Sequence, residues 1–299
     1  MRPNIIILGA HGMLGWQVLN QFKKSKYKIK CQVRNIKNKN KLIKKLNLNK
    51  KIKFFYFDVE KDNIQKLFKQ ISKNDIVINC IGKIKPFINE ENLNQISAAI
   101  KVNGLFPHNL SKIIEIKNVK IYQIATDCVY SGIKGNYDEF SKHDALDVYG
   151  KTKSLGEVYR KNFFNIRVSI IGKELNTRNS LVEWFLSNQN NSKIFGFKDH
   201  LWNGVTTNVF AELLFTIIKE KIKLPSCFHL VPKNKVNKYT LLNYLKNHFK
   251  FKNLRIIKKN SNMKVNRILL TKNEKVNNHI WNRSIYKKKL TIKEIVSTI

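Results

Sequence analysis

Directly after the apolar run Ile5–Leu8, the stretch GAHGMLG spaces Gly9, Gly12 and Gly15 three residues apart. Leu14, Val18, Leu19 and Phe22 then recur at helical spacing, so the segment reads as strand, tight turn, helix. Glycine permits the sharp turn, lets the backbone lie close against a pyrophosphate, and allows the helix to pack near the strand. The helix N-terminus then presents its N–H groups to an anion. In this context Gly9, His11, Gly12, Met13, Leu14 and Gly15 are expected to bind a dinucleotide, with His11 acting within the phosphate loop rather than as a catalyst. A purely structural glycine turn is the alternative.

Further apolar runs follow at KIKCQV, IKFFYF, DIVINCIG, NVKIYQIAT and FFNIRVSIIG, with helical patterns between most of them, such as NLNQISAAIKVNGLFPHNLSKIIEI. Buried parallel strands read as continuous apolar runs, and strands alternating with helices imply right-handed crossovers. The expected fold is α/β, a Rossmann-type doubly wound parallel sheet over residues 1–172. After about residue 172 the alternation loosens into a helix at SLVEWFLSN, a glycine-containing loop at FGFKDHLWNGVTT and a helix at NVFAELLFTIIKEK. Residues 173–299 are therefore expected to form mostly a smaller C-terminal substrate-binding cap.

The 57 Lys and Arg against 20 Asp and Glu give a formal net charge of +37, which raises nucleic acid, anionic membranes and acidic substrates as partners. Lys, Asn and Ile rise together along the whole chain, however, as in an AT-rich coding sequence, and the densest run, KNKNKLIKKLNLNKKIK, lacks interleaved aromatics. No specific nucleic-acid partner is expected. Cys31, Cys80, Cys128 and Cys227 show no C-x-x-C spacing, so neither a zinc site nor a disulfide framework is indicated and a reducing cytoplasm fits. The N-terminal apolar run is too short for a signal peptide or a membrane span.

The second strand ends at CQVRN, where Arg34 stands in place of the acidic residue that often grips the adenine ribose of NAD. A guanidinium suits a 2′-phosphate, which favours NADP(H) over NAD(H); a solvated arginine is the alternative. Tyr149 and Lys153 lie four apart in DVYGKTKSLGEV, so a helix there turns both to one face. An ammonium beside a phenol, whose reference pKa is about 10, stabilises the phenolate and equips it to exchange a proton with an alkoxide. In a lysine-rich chain that spacing also arises by chance. Thr126, however, ends the strand KIYQIAT at the sheet edge where ligands of open α/β sheets bind.

With those pieces in place, the sequence resembles the extended short-chain dehydrogenases/reductases, and within them the dTDP-4-dehydrorhamnose reductase-like branch of nucleotide-sugar enzymes. GAHGMLG, FDVEK, VINCIG, VNGLFPHNL, ATDCVYSGIKGNY, DVYGKTKSLGE and IRVSIIG carry the resemblance, in order, over residues 5 to 172. The resemblance implies Thr126, Tyr149 and Lys153 as the catalytic set, with Tyr149 the general acid and Lys153 also on the nicotinamide ribose. It places Asp58 and Val59 by the adenine, Cys80, Ile81 and Gly82 under the cofactor, Asn103 in support of the lysine or in a structural role, and Ile170 and Ile171 at the nicotinamide. For the substrate it suggests Asp127 and Val129, with Asp127 either at the site edge or capping a turn. Trp202 and Asn203 could touch sugar or base, or simply pack, and Arg267 could meet a diphosphate. No metal-ligating residue is singled out, and the sequence leaves open whether a metal assists.

Sugar 4,6-dehydratases of this superfamily carry Asp-Glu after the threonine, because eliminating water takes an additional acid and base. Here Asp127 is followed by Cys128, which disfavours dehydration. The expected activity is NAD(P)H-dependent reduction of a 4-keto-6-deoxy nucleotide sugar for a surface polysaccharide precursor, by a cytoplasmic enzyme with a homodimer as the assembly to test. The alternatives are a nucleotide-sugar epimerase with retained NAD and a basic cofactor-binding regulatory or nucleic-acid-associated protein.

Overall fold

The computed structural model describes residues 3–48, 51–175, 178–190 and 192–299. Strand β1 (Ile5–Leu8) has every side chain buried, as a central parallel strand requires. It is flanked by β2 (Ile29–Val33) and β4 (Ile76–Asn79), with β3 (Lys53–Tyr56) outside β2 and β5 (Lys120–Thr126) outside β4. All four of these pairings are parallel. Strand β6 (Phe163–Val168) and the strand Cys227–His229 complete a seven-stranded sheet on the β5 side. The strand order reverses direction between β1 and β4, and an open sheet of this kind forms its ligand crevice beyond the carboxyl ends of the strands at that point. Ile6, Leu8 and Val77 pack from the sheet against Phe106, Leu110 and Ile113 in one apolar core.

The chain divides into two compact units. The first comprises Met1–Val129, Ala145–Ile166 and Leu224–Phe228; the second comprises Tyr130–Asp144, Arg167–Lys223 and His229–Ile299. Where the sequence reading sets one boundary between residues 172 and 173, the units interleave. The outermost strand of the large sheet comes from the C-terminal third, a long-range pairing that local periodicity does not report.

Within the second unit, the helix Leu181–Ser187 forms as expected and the helix Thr207–Lys219 begins one residue ahead of its pattern. The intervening segment read as a loop is instead three strands, Lys193–Phe197, His200–Trp202 and Val205–Thr206. Its glycines mark close backbone approaches. A Cβ on Gly196 would lie 2.7 Å from Tyr239 Cα, and one on Gly204 would lie 2.1 Å from the Ser169 carbonyl oxygen. The same unit buries Arg167, which donates to Tyr130 Oη at 2.7 Å and to His229 Nε2 at 3.1 Å. Arginine has only donors, so His229 accepts at Nε2 and carries its proton on Nδ1, toward the Leu270 carbonyl at 2.7 Å. Among the described residues no helix is long and apolar enough to cross a membrane.

Candidate active site

The glycine turn is built as its spacing implies. Gly9 adopts φ +72°, its carbonyl accepts the Gly12 N–H at 2.9 Å, and helix α1 (Gly15–Phe22) starts at the third glycine. A Cβ on Gly9 would meet the Cys80 carbonyl and the Ile81 nitrogen at 3.0 Å, so β1 and β4 end side by side. A Cβ on Gly15 would fall 2.0 Å from the Gly9 carbonyl oxygen, and only glycine lets the helix start this close. Leu14 is buried while His11 and Met13 are half-buried. Burial, reinforced by the Arg34 guanidinium, lowers His11 to about 4, leaving a neutral imidazole in the turn.

Gln32, which the sequence reading passes over, holds this turn from β2. It is buried, accepts the Gly9 N–H on Oε1 at 2.8 Å and donates from Nε2 to the Phe57 carbonyl. Its only sequence signal is a polar residue inside an apolar strand. Beyond the ends of β2 and β3 opens a cleft of about 600 Å³ lined by Arg34, Asn35, Asp58, Lys61, Asp62 and Lys66. Arg34 and Asp58 thus share one hollow, and half-buried Val59 adjoins it in the chain.

At the end of β4, Asn79 accepts the Ile81 N–H at 3.1 Å and donates to Gln123 Oε1 of β5 at 2.7 Å. These bonds fix the floor formed by Cys80, Ile81 and Gly82. Burial lifts the Cys80 thiol to about 12, against the opposing pull of Lys153.

Thr126 is buried at the end of β5, where its Oγ1 donates to Asp127 Oδ1 at 3.2 Å and accepts the Cys128 N–H at 3.2 Å. Asp127 is buried as well, and Val129 is fully buried with its carbonyl taking the Ala145 N–H at 3.1 Å. Tyr149 and Lys153 sit on the helix Val148–Leu155, whose N-cap Asp147 accepts the Gly150 N–H at 2.8 Å and pairs with Lys85 at 2.5 Å. Tyr149 lies near the Thr126 side chain, close enough for it to bear on the phenol's pKa. Lys153 donates to the Ile124 carbonyl of β5 at 2.9 Å.

Burial, then the Cys128 thiol, push the Tyr149 phenol well above its usual range; the nearby Thr126 side chain works against them, and Asp127 and Asp147 add to the rise. Tyr149 is therefore a neutral phenol here, the form a general acid requires. Lys153 is itself drawn down to about 8 by burial, with Glu157, Cys80 and Cys128 favouring its charged form.

Asn103 lies in a π-helical stretch, Ile100–Leu105, that interrupts the long helical run. Its Oδ1 accepts the Lys83 N–H at 2.8 Å, and its Nδ2 donates to the Lys83 carbonyl at 2.9 Å and to Thr152 Oγ1 at 3.2 Å. Its amide bonds thus run to the loop after the floor and to the helix of Tyr149, where the resemblance implied the lysine. Thr152 and two glycines complete what the sequence reading missed. A Cβ on Gly150 would lie 2.3 Å from the Cys128 carbonyl oxygen, and one on Gly156 would lie 1.9 Å from that of Asn103. The helix carrying Tyr149 is seated where only glycines fit at both ends. The available signal was an isolated glycine inside a helical pattern.

The remaining candidates belong to the second unit. Ile170 is half-buried in the short strand Ile170–Ile171, which pairs with Val205–Thr206. Trp202 is buried and donates from Nε1 to Ser169 Oγ at 2.9 Å, while buried Asn203 exchanges two hydrogen bonds with the Leu269 backbone at 2.7 and 3.0 Å. Arg267 donates from Nε to the Tyr130 carbonyl at 2.8 Å. Among the described residues no cluster of three or more His, Cys, Asp or Glu could hold a metal ion.

Against known proteins, no curated sequence matches the chain. Solved structures do match in fold. A dTDP-4-dehydrorhamnose reductase from Bacillus anthracis, in complex with NADP, superposes with a TM-score of 0.75 at 17% identity, covering 100% of this chain and 98% of its own. A dTDP-4-dehydrorhamnose reductase from Clostridium acetobutylicum gives 0.71 at 18%, covering 99% and 97%. A UDP-glucuronic acid 4-epimerase from Bacillus cereus, in complex with NAD, gives 0.73 at 16%, covering 98% and 94%. The family model described as RmlD substrate binding domain matches residues 1–277. With that match spanning residues 1–277 of 299, the chain belongs to the RmlD substrate binding domain family, within the extended short-chain dehydrogenases/reductases.

Proposed function

We propose that this protein is an NADPH-dependent reductase of a 4-keto-6-deoxy nucleotide sugar, acting in the cytoplasm on a precursor of a surface polysaccharide. The observation that carries the reading is the placement of Tyr149 near Thr126, on a helix that also carries Lys153, in the same sheet whose first strand ends in the glycine turn. The turn fits a dinucleotide, because glycines at 9 and 15, where a Cβ would strike the Cys80 and Gly9 backbone, let β1 end tightly and the helix start directly at the turn, with its first N–H groups free for a pyrophosphate. Gly9 to Gly15 would hold the pyrophosphate, Arg34 and Asp58 the adenosine end, and Lys153 the nicotinamide ribose; the bound cofactor supplies the hydride.

The chain's own residues supply the proton. Thr126 Oγ1 and Tyr149 Oη together orient the substrate carbonyl oxygen, and Tyr149, kept neutral by burial, delivers its proton to that oxygen as negative charge develops. Lys153, mostly charged at neutral pH with a pKa of about 8, stabilises the phenolate left behind. Arg34 at the adenosine end favours NADPH over NADH. The absence of a glutamate at position 128 leaves reduction rather than dehydration.

The test is NADPH oxidation with dTDP- and UDP-linked 4-keto-6-deoxy sugars, wild type against Tyr149→Phe. Turnover in the wild type, lost in the variant with NADPH binding intact, is the expected result. A folded wild type that oxidises no NADPH with any of these sugars would overturn it. The likeness to an NAD-bound epimerase favours a second reading, in which the same three residues interconvert a sugar epimer with a retained cofactor. Dinucleotide bound stoichiometrically to the protein as purified would select that reading.

A further inference from the structure

The cleft beyond β2 and β3 holds more cations than the Arg34 assignment uses. Arg34, Lys61 and Lys66 line it together with two carboxylates, Asp58 and Asp62. Both carboxylates are already engaged. Asp62 Oδ2 takes the Asp58 N–H at 2.7 Å and Lys66 Nζ at 2.9 Å, and these partners hold it below the usual carboxylate range. Asp58 Oδ1 takes the Glu60 N–H at 2.9 Å. Lys66 is therefore spent on Asp62. Among the described residues Arg34 and Lys61 make no ion pair, and they project into the same hollow from two different segments, the end of β2 and the turn after β3.

Two further features give the hollow its polarity. Helix α2 (Ile36–Leu46) begins at its wall, with Asn35 as N-cap, so the positive end of an 11-residue helix faces the same space. His11, next to Arg34, is neutral and does not draw an anion away. An exposed Tyr56 ring on β3 supplies a flat wall beside the charges.

We infer that Arg34 and Lys61 form a two-cation seat for a phosphomonoester dianion carried on an adenosine, and that Lys61 is a determinant of NADP(H) over NAD(H). The inference rests on the dinucleotide reading of the glycine turn and deepens it. A guanidinium alone contributes a planar fork to two phosphate oxygens; the Lys61 ammonium, from the opposite segment, reaches the third. A cation in this position has no counterpart interaction with a ribose hydroxyl that it would lose on NAD binding, so its effect falls on one cofactor.

The experiment is calorimetric titration of the full chain with NADP⁺, NAD⁺, adenosine 2′,5′-bisphosphate and 5′-AMP, comparing wild type with Lys61→Ala, Arg34→Ala and Lys69→Ala. Lys69 is an exposed cation outside the cleft and controls for the general positive field. Lys61→Ala is expected to weaken NADP⁺ and the bisphosphate about tenfold, the low end for a hydrogen bond to a charged group given its exposure. NAD⁺ and 5′-AMP should be unaffected by that change, and Lys69→Ala should move none of the four. If Lys61→Ala leaves the NADP⁺ to NAD⁺ ratio unchanged while Arg34→Ala collapses it, Lys61 is excluded and the cofactor reading stands. If wild type binds both dinucleotides equally, the phosphate seat is refuted while dinucleotide binding survives. Binding of neither overturns the inference together with the reading beneath it.

Discussion

Gly150→Ala tests whether close seating of the Tyr149 helix is what makes the site work. The added methyl would sit 2.3 Å from the Cys128 carbonyl oxygen and 2.4 Å from Ala145 Cβ, whereas ordinary contact begins at 3.4 Å. Neither neighbour is the mobile tip of a long side chain, so the helix must retreat by roughly 1 Å. Tyr149 is the adjacent residue, and Thr126 lies two residues before Cys128, so the retreat draws Tyr149 away from Thr126 directly. A displacement of about 1 Å in a catalytic constellation costs on the order of 10²-fold in rate. Overpacking costs about 1–3 kcal/mol, while alanine gains about 1 kcal/mol of helix propensity over glycine, which leaves a net loss of about 0–2 kcal/mol. The assay is NADPH oxidation with a 4-keto-6-deoxy nucleotide sugar, alongside a thermal melt. Unchanged turnover with a raised Tm would refute the reasoning, because that is what alanine does in a helix with open space beside it.

Two further outcomes follow from the same site. Lys153 has a folded pKa near 8 against an ordinary 10.5, so between those values the unfolded chain binds the extra proton and stability rises with pH. The cost of burying the ammonium is fully present below about pH 8 and is relieved toward pH 10.5, by about 3 kcal/mol for this one group. Urea melts across that window should show the rise as a difference between wild type and Lys153→Met, since burial keeps the Cys80 thiol, which Lys153 lowers only to about 12, protonated through the window in both; parallel profiles would rule it out. Thr152 accepts from Asn103 and donates to the Tyr149 carbonyl at 3.1 Å, tying the loop at Lys83 to the helix. Thr152→Val should lower kcat with KM for NADPH nearly unchanged and Thr152→Ser should restore it; equal kcat in all three proteins would count against the tie.

The parts of this molecule that were legible in the sequence are those governed by local chemistry. Ile5–Leu8 could be read as a buried strand because four consecutive apolar residues followed by glycine leave few other solutions. Tyr149 and Lys153 could be placed on one face because a helix fixes the i, i+4 relation. Interleaving of the two units was not legible, because pairing of the strand Cys227–His229 with the large sheet joins segments some sixty residues apart and leaves no mark in either segment's periodicity. The glycines of the segment Phe195–Thr207 misled for a related reason. Glycine reads as a loop former from propensity alone, yet Gly196 and Gly204 are there because another backbone occupies the place of a Cβ.

Charge was the least legible property, and the reason is instructive for any lysine-rich chain. With 57 basic residues, no single Lys or Arg stands out by type or spacing. What separates Lys61 from Lys66, five positions later on the same cleft, is that Asp62 has already taken the second and not the first. Asp62 in turn is held by the Asp58 N–H, a bond set by the turn that follows β3. Whether a cation is available to a ligand therefore depends on backbone geometry three or four residues away, through the carboxylate that this geometry orients. The same logic applies to Tyr149, for which the sequence offers only the lysine four residues on as a charged neighbour. Folding instead gives it Thr126, Cys128 and two aspartates as neighbours and turns Lys153 toward the Ile124 carbonyl, so the acid of the site is kept protonated by what the helix packs against.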